Sequence, residues 1–416
     1  MPRVLFVVFS DAGQLNPFVA IAQHVVRRGA EPSFYSCQRD VGPQLARAGL
    51  RVATFHAPGP SDVATDTPAP GEPASIVFRR RMEKPAFLRR WLTEVWIEAA
   101  DRQVDAIERL IAEVRPDVVC VNAMAYAGAI AAERARVPWA AVATQLTTLA
   151  PDGWTSSWTE AIARIDPARQ ELARRRDVAL RFAMTDVVSP WLNTLFTVEE
   201  LTPRAASRND HSIFVGPVAA PPGTRGDEPE FPWDWLRPDV PLVYVSFGTL
   251  SSPEIGTLVE LTTMLGEAEA QVVLALKDAA SHPSLAALPP NVLVRAYAPQ
   301  LALLARARAM VSHGGLSSVV ECVRSDVPAL VIPLVYDQPL NAELLRRAGA
   351  GDRLELGAAT AAACGERLRA LMAEDAPARE RVRALGRACR RADGGETTAS
   401  LLLRLAETRA PVGLPA

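Results

Sequence analysis

The side chains that could do chemistry concentrate between Tyr297 and Ala342. Met310-Val311-Ser312 reads as a strand end, His313 follows, Gly314-Gly315 permits close backbone approach, and a helix is expected from Ser317 onward. Unpaired N–H groups at a helix start, behind a glycine turn and beside a histidine, form an anion site suited to a diphosphate. Glu321 falls four residues after Ser317, one turn along that helix, where a carboxylate can accept hydrogen bonds from ribose hydroxyls. Two more polar blocks flank this one, Tyr297-Ala298-Pro299-Gln300 before it and Asp337-Gln338-Pro339-Leu340-Asn341-Ala342 after it. Singly, each has a plainer reading: Ser317 and Ser318 as helix caps, Asp337-Gln338 as a polar loop. The other histidines, His24, His56, His211 and His282, read as surface or core residues. The ordered combination carries the inference.

Such a site needs strands to hold it, and the chain supplies two strand-led units. In the first, Val4–Phe9 is a continuous apolar run, Ser10–Asn16 is turn-rich, Pro17–Arg28 has helical periodicity and Gly29 ends it. Val118–Val121 and Ala140–Ala143 repeat the short apolar run of a parallel strand covered on both faces. Pro58–Pro73 lacks any period and reads as a loop; Arg79-Arg80-Arg81 and Arg89-Arg90 then flank a helical stretch carrying Trp91 and Trp96, and read as its solvated face. Pro and Gly concentrate again after Phe214-Val215-Gly216-Pro217. The second unit opens with Leu242–Val245, the turn Ser246-Phe247-Gly248-Thr249 and a helix from about Pro253. The expected division is a first domain over 1–217, a linker over 218–239, a second domain over 240–395 and a tail over 396–416. Two α/β units joined by a Pro-rich linker imply a cleft between them.

Composition removes several classes of function. The 416 residues are 49% hydrophobic and 22% charged, which excludes wholesale disorder. A formal charge of -2 leaves no basic excess for a phosphate polymer, so nucleic acid is not an expected partner. Of 45 basic residues only Lys84 and Lys277 are lysine, the bias of a GC-rich coding sequence. Cys37, Cys120, Cys322, Cys364 and Cys389 form no metal-ligand or disulfide pattern, and no apolar run reaches membrane-spanning length. A cytoplasmic protein, monomer or homodimer, without an integral membrane segment is expected.

The stretch from Tyr297 resembles the nucleotide-sugar signature of the family 1, UDP-dependent glycosyltransferases, in the bacterial branch that acts on antibiotics and other natural products. Plant members carry W-x-P-Q, H-C-G-W-N-S-x-x-E and D-Q-x-x-N-A in the same order; here Tyr297 stands for the Trp, and Gly314, Leu316 and Ser317 for Cys, Trp and Asn. The resemblance implies an α/β GT-B fold, two Rossmann-like domains with parallel sheets facing across a cleft, and a C-terminal helix near Thr397–Glu407 that crosses back to the first. It implies that Tyr297 stacks on uracil, that Ala298 contacts the base through its backbone, and that Gln300 contacts base or ribose. It further implies that His313, Gly315, Ser317 and Ser318 hold the diphosphate with Thr249 opposite, that Glu321 takes the ribose, and that Asp337 and Gln338 take the hexose. The expected partners are a UDP-hexose donor and a small-molecule acceptor. No cofactor and no metal are expected, because no D-x-D pair lies near these motifs. Inversion is expected as well: the retaining E-x₇-E pairing would need an acid at 313 or 329, which are His and Ala. UDP is favoured over dTDP because Glu321 can use both ribose hydroxyls.

The usual base is a histidine after the first strand, oriented by an aspartate from a later strand end. Here those histidine slots hold Ala12 and Gln14, and the aspartate slot holds Asn122. Three readings stand: Asp11 is the base, its pKa raised in the closed cleft; the acceptor activates itself while Gln14 and Asn122 orient it; or the chain binds sugar nucleotides without efficient turnover. A sugar-nucleotide epimerase is the competitor among enzymes.

Overall fold

The structure is a computed structural model that describes residues 1–57, 72–151, 153–202, 212–218, 229–267, 270–278 and 280–413. Nearly all of the loop expected over 58–73 and the middle of the expected linker, 219–228, lie outside the described residues.

Strand β1 (Arg3–Val8) is buried along almost its whole length. Such a run cannot sit with one face in water, and it does not: β1 pairs in parallel with β2 (Glu31–Ser36) on one side and β4 (Val118–Asn122) on the other. With β3 (Ala53–His56), β5 (Trp139–Ala143), β8 (Leu192–Leu195) and β9 (Ser212–Phe214), these make a seven-stranded sheet in the order β3-β2-β1-β4-β5-β8-β9. Alternate residues of β1 enter different cores. Leu5 and Val7 meet Trp96, Ile107 and Trp139; Val4, Phe6 and Val8 meet Phe18, Ile21 and the C-terminal Leu402 and Leu405.

The second sheet has six strands, β12 (Val292–Arg295), β11 (Gln271–Ala275), β10 (Leu242–Ser246), β13 (Ala307–Ser312), β14 (Ala329–Val331) and β15 (Gly351–Arg353), in that order and all parallel. Both sheets reverse their strand order once, at β1/β4 and at β10/β13. In open α/β sheets the crevice beyond the strand ends at such a reversal is where ligands bind. Among the described residues no helix is long and apolar enough to cross a membrane.

Several boundaries differ from the sequence reading. The first helix spans Ala12–Arg27 and so begins five residues before Pro17, which lies inside it. The helix Gly394–Thr408 packs Leu401, Leu402 and Leu405 into the first lobe's core, and Arg28 pairs with its Glu396 at 3.0 Å. Phe231, within the expected linker, and Val198 and Leu201, before it, are buried in the core of the second lobe.

A two-stranded hairpin, β6 (Arg181–Ala183) with β7 (Asp186–Val188), lies outside both main sheets. Burial pushes the Asp186 carboxyl up to about 7; Thr185 Oγ1 donates to its Oδ1 at 2.8 Å, while its Oδ2 has no partner among the described residues. A raised folded pKa means that the folded state holds a proton the unfolded state has released between roughly pH 4 and 7, so this carboxyl's contribution to stability is lost as pH rises through that window. The hydroxyls of Thr148 and Thr194 line the same 40 Å³ cavity and can accept from an amide. Asp186→Asn is therefore expected to raise Tm at pH 8 by about 2–4 °C, with a smaller gain at pH 5. Equal shifts at both pH values, by calorimetry, would contradict this.

Candidate active site

The two strand reversals face each other across a cavity of about 450 Å³. Every site residue singled out from the sequence lines it except Asn122, which lies buried behind Gln14.

On the second-lobe wall, β13 ends at Ser312 and His313 enters a slot between two glycines. A Cβ at Gly248 would stand 2.9 Å from the imidazole Nε2, and one at Gly315 would stand 2.7 Å away. Gly314 turns the chain at φ +85°, a conformation that favours glycine, and the helix Leu316–Arg324 begins at once. No side chain caps that helix and no acid occupies its first turn, so its leading N–H groups, with the Ser317 and Ser318 hydroxyls, are placed to take an anion. Burial pushes the His313 pKa down to about 4. The imidazole is therefore neutral at physiological pH, with one ring N–H to donate and no charge.

Glu321 is 6% exposed, and Gln300 Nε2 donates to its Oε2 at 2.6 Å. The sequence reading sent Gln300 to base or ribose; the geometry adds that it braces the carboxylate. Tyr297, 46% exposed, presents its ring at the cavity wall beside Ala298. Thr249 follows Gly248, whose φ is +76°, and its carbonyl accepts from Lys277 Nζ at 3.4 Å. Asp337 begins the helix Gln338–Arg347 without capping it. Its carboxylate instead accepts from Asn341 Nδ2 at 2.7 Å, and the same nitrogen donates to the Gly314 carbonyl at 2.9 Å. Asn341 thus ties Asp337 to the glycine turn, while burial pushes the Asp337 carboxyl up to about 6. Gln338 Oε1 accepts from the amides of Leu334 and Val335 at 2.8 and 2.9 Å, leaving its NH₂ group to face a ligand.

On the first-lobe wall, Asp11 occupies the cap position of the first helix yet makes no side-chain cap bond. Burial raises its pKa; Arg39, 3.7 Å away, a hydrogen bond with Gln38 and the charge of Lys277 oppose the rise. Gln14 Oε1 accepts from Asn122 Nδ2 at 2.9 Å and from Thr144 Oγ1, while Asn122 Oδ1 accepts from the Met124 amide at 3.0 Å. With its carbonyl oxygen committed, Gln14 can offer a ligand only N–H groups. It can orient an acceptor and cannot deprotonate one.

The aromatic wall went unread in the sequence. Phe78, Trp91 and Tyr336 meet at the cavity, with ring centroids 5.8 Å apart for Trp91 and Tyr336. Tyr336 holds φ +61°, rare for a residue with a Cβ. Trp91 and Trp96 are five positions apart and would point about 140° from each other at 3.6 residues per turn. A π-helical turn, Thr93–Glu98, rotates Trp96 toward Trp91, with centroids 6.2 Å apart. Beyond them the cavity continues into a side pocket of about 290 Å³ walled by Phe9, Val95, Trp96 and Met124, with Asp11 and Arg39 also on its lining. Trp158 is 3% exposed behind Trp96, and Trp154 lies under the Arg353 guanidinium. Arg79, read as part of a solvated face, is 5% exposed.

Residues 259–389 match the family model of the erythromycin biosynthesis protein CIII-like C-terminal domain. The demethyllactenocin mycarosyltransferase of Streptomyces fradiae is 25% identical over 378 residues, which are 87% of this chain and 77% of that protein. Among solved structures, the kitacinnamycin glycosyltransferase superposes with a TM-score of 0.73 at 21% identity, over 97% of this chain and 99% of its own. The glycosyltransferase VinC in complex with dTDP gives 0.69 at 19% identity, over 97% and 99%. With the cavity as built, the chain has the GT-B fold of these solved structures, and its sequence is similar to those of glycosyltransferases from antibiotic pathways, which supports a natural-product glycosyltransferase.

Proposed function

We propose that the chain transfers a hexose from UDP-hexose, with inversion, to a small planar aromatic acceptor, and that Asp11 removes the acceptor proton. One observation carries the assignment: among the described residues Asp11 is the carboxylate that the first lobe contributes to the cavity, and it faces the uncapped helix start of the second lobe. The acceptor oxygen attacks the anomeric carbon from the side away from the diphosphate. The bond from that carbon to the diphosphate oxygen breaks, the diphosphate leaves with the electron pair, and the acceptor proton passes to Asp11. Gln14, held by Asn122, orients the acceptor through its NH₂ group. First-turn amides of the 316–324 helix, Ser317, Ser318 and the neutral His313 stabilise the leaving diphosphate, which supports transfer without a metal. The side pocket supports the acceptor class: indole and phenyl rings wall it, Asp11, Gln38, Arg39 and Gln103 add polar groups, and at about 290 Å³ it is near the lower end of small-molecule sites.

The nucleoside follows from Glu321, whose carboxylate can engage both ribose hydroxyls. A second reading, dTDP-hexose, is favoured by VinC, whose structure holds dTDP.

Glycoside and UDP should form together only when an acceptor is present; UDP release without one would favour hydrolysis or binding alone. Asp11→Asn is expected to lower kcat about 10²–10⁴-fold with the donor KM unchanged, and near-normal turnover would move deprotonation to the acceptor itself. Activity of the unaltered chain should fall on the acid side as Asp11 takes up its proton, at a pH above the ordinary aspartate value. Calorimetry should find UDP bound about tenfold more tightly than dTDP, with the preference lost in Glu321→Ala. Equal affinities in the unaltered chain would replace the UDP reading by the dTDP one.

A further inference from the structure

The helix Ala74–Met82 belongs to the first lobe, where Met82 enters the core beneath β1. Apart from Glu83 and Glu72, which pair with Arg79 and Arg80, the polar partners described below lie in the second. A helix start needs acceptors for its first amides, and Pro73 at the cap position supplies none. The carboxylate of Asp278, just after β11, supplies them: Oδ2 accepts from the Ser75 amide at 2.9 Å and Oδ1 from Ser75 Oγ at 2.8 Å. One turn on, Arg79 donates through Nε to the Ser252 carbonyl at 3.0 Å and through a terminal nitrogen to Glu254 at 2.5 Å. Arg80 grips Glu254 with two nitrogens at 2.7 and 2.6 Å, and this pairing holds the Glu254 carboxyl below its usual range.

Ser252 and Glu254 end the segment that begins at Thr249, and Thr249, Leu250 and Ser251 line the cavity. If the lobes part, the helix loses its borrowed cap, and Arg79 exchanges Ser252 and Glu254 for water while keeping Glu83, just past the helix end. Order in the helix, shape in the 249–254 loop and closure of the cleft are therefore one equilibrium.

We propose that the helix Ala74–Met82 is an interlobe clasp that fixes the 249–254 loop for the nucleotide sugar, with Arg79 and Asp278 as positioning residues acting through Thr249. The proposal rests on the reading that the donor binds against that loop. Linkage makes it reciprocal: UDP tightens the clasp by the factor by which the closed clasp tightens UDP, so whatever weakens the clasp also weakens binding.

The test is amide hydrogen exchange over residues 74–82 in the full chain, with and without UDP, for the unaltered protein, Asp278→Asn and Glu254→Gln, together with UDP calorimetry on each. UDP should slow exchange of this helix in the unaltered chain. Each substitution should speed exchange about 5- to 20-fold without changing that of β4, and should weaken UDP about 3- to 10-fold. Identical exchange in all three proteins would overturn the clasp, as would faster exchange with UDP affinity untouched. Failure of the unaltered chain to bind UDP would count against the UDP reading, while the exchange comparison without nucleotide would still decide whether the helix is held across the cleft.

Discussion

The imidazole of His313 stands in a slot where neither neighbour can carry a side chain. A carbon on Gly248 or Gly315 would come within 3 Å of the ring, so both backbones approach it bare. That constraint sets the rest of the second-lobe wall. Because Gly315 stays close, the helix starts immediately and uncapped, and its first-turn amides open onto the cleft. Because the ring is desolvated, its pKa is lowered and it is held neutral near physiological pH, with one ring N–H to donate. Asn341 then joins the Gly314 carbonyl to Asp337, so the glycine turn and the polar end of the cavity are held by one amide.

The opposite wall follows a different logic. Where relatives of this fold would place an imidazole and its aspartate, Gln14 and Asn122 satisfy each other, and the Gln14 carbonyl is already occupied by Asn122 and Thr144. A pair of amides fixes geometry and moves no proton. The proposal gives the proton-accepting task to Asp11, which stands one residue before the first helix and whose pKa burial raises against the opposing charge of Arg39. On that proposal the two walls divide the work: the second lobe offers helix-start amides to negative charge, and the first offers Asp11, its one carboxylate on the cavity among the described residues.

The sheets and the second-lobe wall were legible because their signals are local. An unbroken apolar run such as Val4–Val8 fits only a doubly covered parallel strand, and the glycine turn with its helix start spans a handful of residues. The misses required distant partners. Arg79 looked like one member of a solvated arginine run because what buries it, Ser252 and Glu254, lies far along the chain. Pro17 resembled a helix start although the helix begins at Ala12. The Trp91–Trp96 pairing depends on a π turn that periodicity does not announce. Tyr336 at positive φ is set by aromatic neighbours from the other lobe.

A crystal structure with UDP tests the central claim most directly. The account predicts the diphosphate within hydrogen-bonding distance of the Ser317 and Ser318 amides and of His313 Nε2, with the ribose hydroxyls on Glu321. Nucleotide density away from this helix start, with the slot between Gly248 and Gly315 unengaged, would contradict it.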